Sequence, residues 1–109
     1  MAEYSSAVKL DPGFLPAANN LAWLLSTQPE ESLRDGKRAV ELAESICMVP
    51  ANRTASSLDT LGVAYAEAGR FDDAIKVVQE AIGLSKNPEE IKGLKDRLSL
   101  FQSGKPYRD

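Results

Sequence analysis

Histidine is missing altogether from the 109 residues. With it go the side chain that most often serves as a general base near neutral pH and the one that most often binds transition metals. Catalytic triads built on histidine are excluded, and no cofactor or metal site is expected. Cys47 is the single cysteine, so there is no internal disulfide framework; this is compatible with a reducing compartment, which leaves the cytoplasm as a weak default. No run of apolar residues approaches the roughly 18 that a membrane span requires, and no charged amino end leads into an apolar segment as a signal peptide would. The chain therefore reads as soluble and without a membrane partner. Neither sign of charge dominates: 13 basic and 16 acidic residues leave a net charge of −3. They are mixed along the chain, so the field that steers nucleic-acid binders is lacking and no nucleic acid is expected as a partner. Gly62 and Gly69 do not belong to a strand-to-helix phosphate loop, so no nucleotide site is supported.

What is present is helical patterning, clearest from Ala55 to Pro88. Leu58, Leu61, Gly62 and Tyr65 recur at i, i+3, i+4 and i+7, one apolar stripe of a helix. Gly69 breaks the pattern, and Ala74, Val78 and Ala81 then form the stripe of a second helix. Two antiparallel helices follow. Gly62 and the alanines, Ala81 among them, stand where the two would cross, since larger side chains would push the axes beyond the usual 8 to 10 Å or so.

Leu58, Leu61-Gly62, Tyr65, Ala74, Val78 and Pro88 occupy in order the places of the tetratricopeptide pattern, which repeats about every 34 residues. The stretch resembles that family, departing from it in Leu58 for tryptophan, Val78 for an aromatic and a proline set slightly late. The resemblance extends over nearly the whole chain. Residues 1–12 look like the second helix of a partial repeat, with Tyr4, Ala7 and Pro12 in the places of its aromatic, alanine and closing proline. Residues 14–50 resemble a divergent repeat. Its first helix, about Phe14 to Thr27, buries Ala18, Leu21, Ala22 and Leu25, and a loop over Gln28 to Arg34 is inserted before a second helix. That helix, capped by Asp35 and running to about Met48, buries Ala39, Leu42, Ala43 and Ile46 until Pro50 ends it. Residues 55–88 are the standard repeat. Residues 89–103 form a capping helix with Ile91, Leu94, Leu98 and Phe101 on its dry face. Asn87 caps its start, Pro88 takes the first position, and the Glu90 carboxylate reaches back. Residues 104–109 are a polar tail, similar to the endings of many bacterial members of the family.

The resemblance implies one all-α domain over residues 1–109, a right-handed superhelical stack of helical hairpins. It also implies a function without catalysis: a protein-interaction module that holds a peptide or protein segment in its concave groove. The alternative is an architectural closing segment of a longer array with no ligand of its own. The first helices of successive repeats line such a groove, which here selects Asn19, Asn20, Trp23, Ser26, Ser56, Asp59, Thr60, Val63 and Glu67. Trp23 has a second reading, packing on Tyr4 or Val8 of the partial repeat. Members that grip a chaperone's carboxylate end use lysine, asparagine and arginine. Only Asn20 fits that set and Asp59 stands where a cation is wanted, so that partner is disfavoured. Cys47 reads as a small buried hydrophobe. The pairs Glu30-Glu31, Asp72-Asp73 and Glu89-Glu90 read as charges at helix starts, and Arg34, Lys37 and Arg38 as a solvated helix start rather than a contact for an acidic partner. Tyr4, Ala7, Val8 and Leu10 lack the helix that would complete their repeat, so further repeats are expected upstream and self-association is expected through Tyr4 and Val8.

Overall fold

The computed structural model describes residues 15–28 and 34–107. Within them run five helices, α1 (Leu15–Thr27), α2 (Gly36–Cys47), α3 (Ala55–Glu67), α4 (Phe71–Leu84) and α5 (Pro88–Gln102), with a 3-10 turn at Pro50–Asn52 and no strand among the described residues. The expected helix over residues 1–11 and most of the inserted loop, residues 29–33, lie outside the described residues.

Each helix packs against the next, and α1 also packs against α3. The expected stripes are the buried ones: Ala18, Leu21, Ala22 and Leu25 on α1, Ala39, Ala43 and Ile46 on α2, and Ala74, Val78 and Ala81 on α4. Leu42 is only half-buried. Alpha-helix α3 lies at the centre and touches all four others. Its covering therefore goes beyond one stripe: Ser57, Leu58 and the whole run from Thr60 to Ala66 are buried. Cys47 is buried as well, and burial pushes its thiol pKa up, away from the reactive thiolate.

The close approach expected at Gly62 is present, but its opposite number differs. A Cβ at Gly62 would lie 2.6 Å from Val78 Cγ2 and 3.5 Å from the Ala74 carbonyl oxygen. The crossing thus centres on Ala74 and Val78 rather than on Ala81, one turn further along α4. A second close approach was not legible in the sequence: a Cβ at Gly36 would meet the Ala68 backbone nitrogen at 3.1 Å, so the start of α2 lies directly on the end of α3.

Local chemistry sets the ends. Asp35 caps α2 by accepting from the Arg38 N–H. Thr54 and Ser57 form a reciprocal capping box at α3. Gly69 has φ 81°; its N–H donates to the Ala66 carbonyl and the Arg70 N–H to the Tyr65 carbonyl at 2.8 Å. This glycine-dependent Schellman ending turns the chain into α4. Asn87 caps α5 by accepting from the N–H groups of Glu89 and Glu90. The expected return bond from Glu90 is rerouted: Ser85 Oγ donates to Glu90 Oε1 and itself accepts from the Asn87 N–H. Ser85 stands between the two groups that a capping box would join directly. Asp72 and Asp73, like Glu89 and Glu90, occupy first turns. Arg34 is held, its Nε donating to Glu67 and its Nη1 to the Gln28 carbonyl.

Candidate functional site

Helices α1 and α3 are the first members of the two hairpins, and the nine residues selected from the sequence all lie on them. They separate into three groups.

The first group is buried by packing. Ser26, Thr60 and Val63 have at most 2% of their surface exposed. The Ser26 hydroxyl donates back to the Ala22 carbonyl, and that of Thr60 to the Ser56 carbonyl. Thr60 and Val63 lie on α3, which α1 and α5 both touch, and Ser26 lies on α1; buried as they are, these three side chains offer no open surface to a partner. Glu67 is also engaged, accepting from Arg34 Nε at 3.0 Å with both side chains mostly covered, which clamps the approach to α2 onto the end of α3.

The second group is open. Asn20 and Ser56 are exposed and Asn19 is half-buried. Asn19 and Ser56 share a depression of about 210 Å³, lined also by Ile46, Ala51, Asn52, Thr54 and Ser57 among the described residues. The Oδ1 atom of Asn19 is itself buried and accepts no hydrogen bond. An amide oxygen removed from water without a donor carries a desolvation cost of roughly 1 to 3 kcal/mol.

The third group is drawn together by a residue that sequence reasoning missed. Arg97 of α5 donates from Nε and Nη2 to the two carboxylate oxygens of Asp59, each at 2.5 Å. Its guanidinium carbon lies 5.7 Å from the Trp23 ring centre and 5.3 Å from that of Tyr107. The Trp23 and Tyr107 rings are themselves 5.5 Å apart and tilted by 55°. Burial pushes the Asp59 carboxyl pKa up, with Arg97 pulling against the rise. The acid that stands where the family's carboxylate-gripping members carry a cation is thus paired within the chain, by Arg97. A signal existed, since an acid on a face otherwise read as a groove needs a countercharge, but nothing in the spacing of residues 89–103 singles out Arg97 as its partner. Trp23 meets Tyr107; Tyr4 and Val8 are outside the described residues.

Among the described residues no group of three His, Cys, Asp or Glu side chains is placed to hold a metal ion, and no helix is long and apolar enough to cross a membrane. Helical hairpins packed in series, with close contacts at small residues and polar side chains on the first helix of each, define an α-helical repeat protein. A family model described as tetratricopeptide repeat matches residues 15–87, and the chain belongs to that family. No curated protein and no solved structure gives a significant match to it.

Proposed function

We propose that the chain is a non-catalytic protein-interaction module that receives a peptide or protein segment along the concave face of α1 and α3. Its repeats are residues 14–50 and 55–88, the remaining segments being residues 1–12 as a partial repeat, 89–103 as a closing helix and 104–109 as a tail. Membership of the tetratricopeptide repeat family supports interaction with protein in general. The observation that carries the location is the buried, unpartnered Asn19 Oδ1 beside the depression that Asn19 and Ser56 share. A backbone N–H of an incoming segment supplies the donor this oxygen lacks, while Asn20 and Ser56 offer further polar contacts at the rim. Trp23 and Asp59 belong to the same face, at the point where α5 reaches it.

The test compares proteins captured by the wild type with those captured by Asn20→Arg and by Ser56→Lys, two exposed positions where folding is spared. Loss of the same partner from both variants, with helicity intact by circular dichroism, is the expected result. Recovery of every partner at wild-type level by both would refute the assignment of this face.

A second reading, an architectural closing segment, draws on α5. Leu94 and Phe101 are buried while Glu89, Lys92, Lys95, Asp96 and Gln102 are exposed. A helix with one dry and one wet side ends a stack in water. The two readings are compatible on one chain, and only the first requires a ligand.

A further inference from the structure

The chain beyond α5 turns back toward α1. Gly104, at φ 72°, donates its N–H to the Phe101 carbonyl and Lys105 donates to that of Leu100, a Schellman ending that reverses the chain. Pro106 then restricts the backbone ahead of Tyr107. The Tyr107 ring lies 5.5 Å from that of Trp23 on α1 and 5.3 Å from the guanidinium carbon of Arg97 on α5. Arg97 is itself fixed. Asp59 of α3 accepts from its Nε and Nη2, and Gly93 leaves it room, since a Cβ there would come within 3.3 Å of Arg97 Nη2.

This cluster joins two helices that are not neighbours in the packing. Helix α1 packs on α2 and α3, and α5 packs on α4 and more lightly on α3; α1 and α5 share no comparable packing among the described residues. In a stack whose units touch only their neighbours, each end loosens without regard to the other. Here the contacts run in a circuit, from α1 through α3 and α4 to α5, and from α5 and its following segment back to α1 through Arg97 and Tyr107. Opening α1 therefore costs contacts made by the opposite end of the stack.

We propose that residues 103–107 are a strap that fastens the closing helix to the first one, so that neither α1 nor α5 opens without giving up the contact between Trp23 and Tyr107. The end of the chain thereby holds the face formed by α1 and α3 in one shape. The strap is distinct from the cap that α5 itself provides. Buried Leu94 and Phe101 seat that helix on its neighbours, whereas Tyr107 acts between the two ends. No ligand enters this inference, and it holds whether or not the face of α1 and α3 receives a protein segment.

Hydrogen exchange of the full chain, followed helix by helix at several low urea concentrations, tests this. A contact that served α5 alone would leave the exchange of α1 untouched, so α1 is the place to look. In Tyr107→Ala the α1 amides should exchange roughly tenfold faster than in the wild type, the scale of one ring pair with one cation–π contact. They should do so with a urea slope below that of global unfolding, because the freed end opens by itself. Gly104→Val keeps the Tyr107 ring but strains the left-handed turn that delivers it, and should loosen α1 in the same way. Lys105→Ala, an exposed position of the same segment, should leave α1 as in the wild type. The proposal is overturned if α1 exchanges at the wild-type rate in Tyr107→Ala and Gly104→Val, if its amides there exchange only through global unfolding, or if Lys105→Ala loosens α1 as much as they do. Since no partner is added, that failure is separable from failure of the face assignment, which is read from Asn20→Arg and Ser56→Lys.

Discussion

Asp59 on α3 and Arg97 on α5 meet edge to edge, two guanidinium donors on two carboxylate oxygens, with side chains only 14% and 15% exposed. This pair ties the last helix to the central one at a place where the two helices otherwise touch little. Removing one member leaves the other charge covered and uncompensated, a loss of about 3 kcal/mol or more. Arg97→Ala should therefore lower stability by about that amount in urea denaturation. Adding Asp59→Asn to Arg97→Ala should recover at least half of the loss, because the stranded charge is gone. If the double variant is as unstable as the sum of the single ones, the pair is a surface contact of no structural weight.

Gly62 faces a rigid neighbour. Val78 is fully buried and β-branched, so the 2.6 Å approach that a Cβ would make to its Cγ2 cannot be relieved by rotating a flexible chain. Alanine at position 62 would gain up to about 1 kcal/mol of helix propensity, against about 1 to 3 kcal/mol for overpacking. Gly62→Ala should be destabilising on balance, Gly62→Leu more so, and Val78→Ala should partly rescue Gly62→Ala. A rise in melting temperature for Gly62→Ala would show that the helices separate freely there.

These two contacts differ in how far they could be read beforehand. Gly62 sits in a stripe whose period, with the Ala74 and Val78 spacing, is a local property of about two turns of each helix. It was legible along with the helix ends at Asp35, Asn87 and Gly69. The pairing of Asp59 with Arg97 joins residues 38 apart in sequence and depends on the angle at which α5 returns over α3, which no periodicity encodes. The burial of Thr60, Val63 and Ser26 was missed for the same reason. Period identifies one apolar face of a helix, whereas a central helix is covered on every side and its small or polar residues are enclosed by neighbours. The exposure of Asn20 and Ser56 depends only on register within α1 and α3, which periodicity does carry.

The last helix carries its own expectation. Alpha-helix α5 packs mainly on α4, seating the fully buried Leu94 and Phe101. Phe101→Ala should cost about 3 to 5 kcal/mol. Ending the chain after Asn87 should expose the apolar side of α4 and produce aggregation at micromolar concentration, measured by light scattering. A monomeric, cooperatively folding fragment ending at Asn87 would show that α5 is dispensable to the stack.

Tyr65 gives the pH dependence. Its ring is buried on α3, its hydroxyl donates to Glu44 Oε2 of α2 at 2.7 Å, and Arg70 lies over the ring at 4.5 Å. Burial, then the hydrogen bond to Glu44 and the negative charge of that carboxylate, push the phenol pKa from 10.0 up to about 12, with Arg70 opposing. The folded state therefore holds this proton more tightly than the unfolded one. The resulting stabilisation is fully present below about pH 10 and is lost as pH rises through 10 toward about 12. Two units correspond to about 2.7 kcal/mol, which solvent near the hydroxyl reduces to roughly 1 kcal/mol. Urea denaturation between pH 8 and pH 11.5 should show the wild type converging on Tyr65→Phe as pH rises. Glu44→Gln should converge less, because the charge that helps to raise the phenol pKa has been removed. Parallel curves for wild type and Tyr65→Phe across that range would mean that the phenol titrates alike in folded and unfolded chains, and that the Glu44 contact contributes nothing to holding α2 against α3.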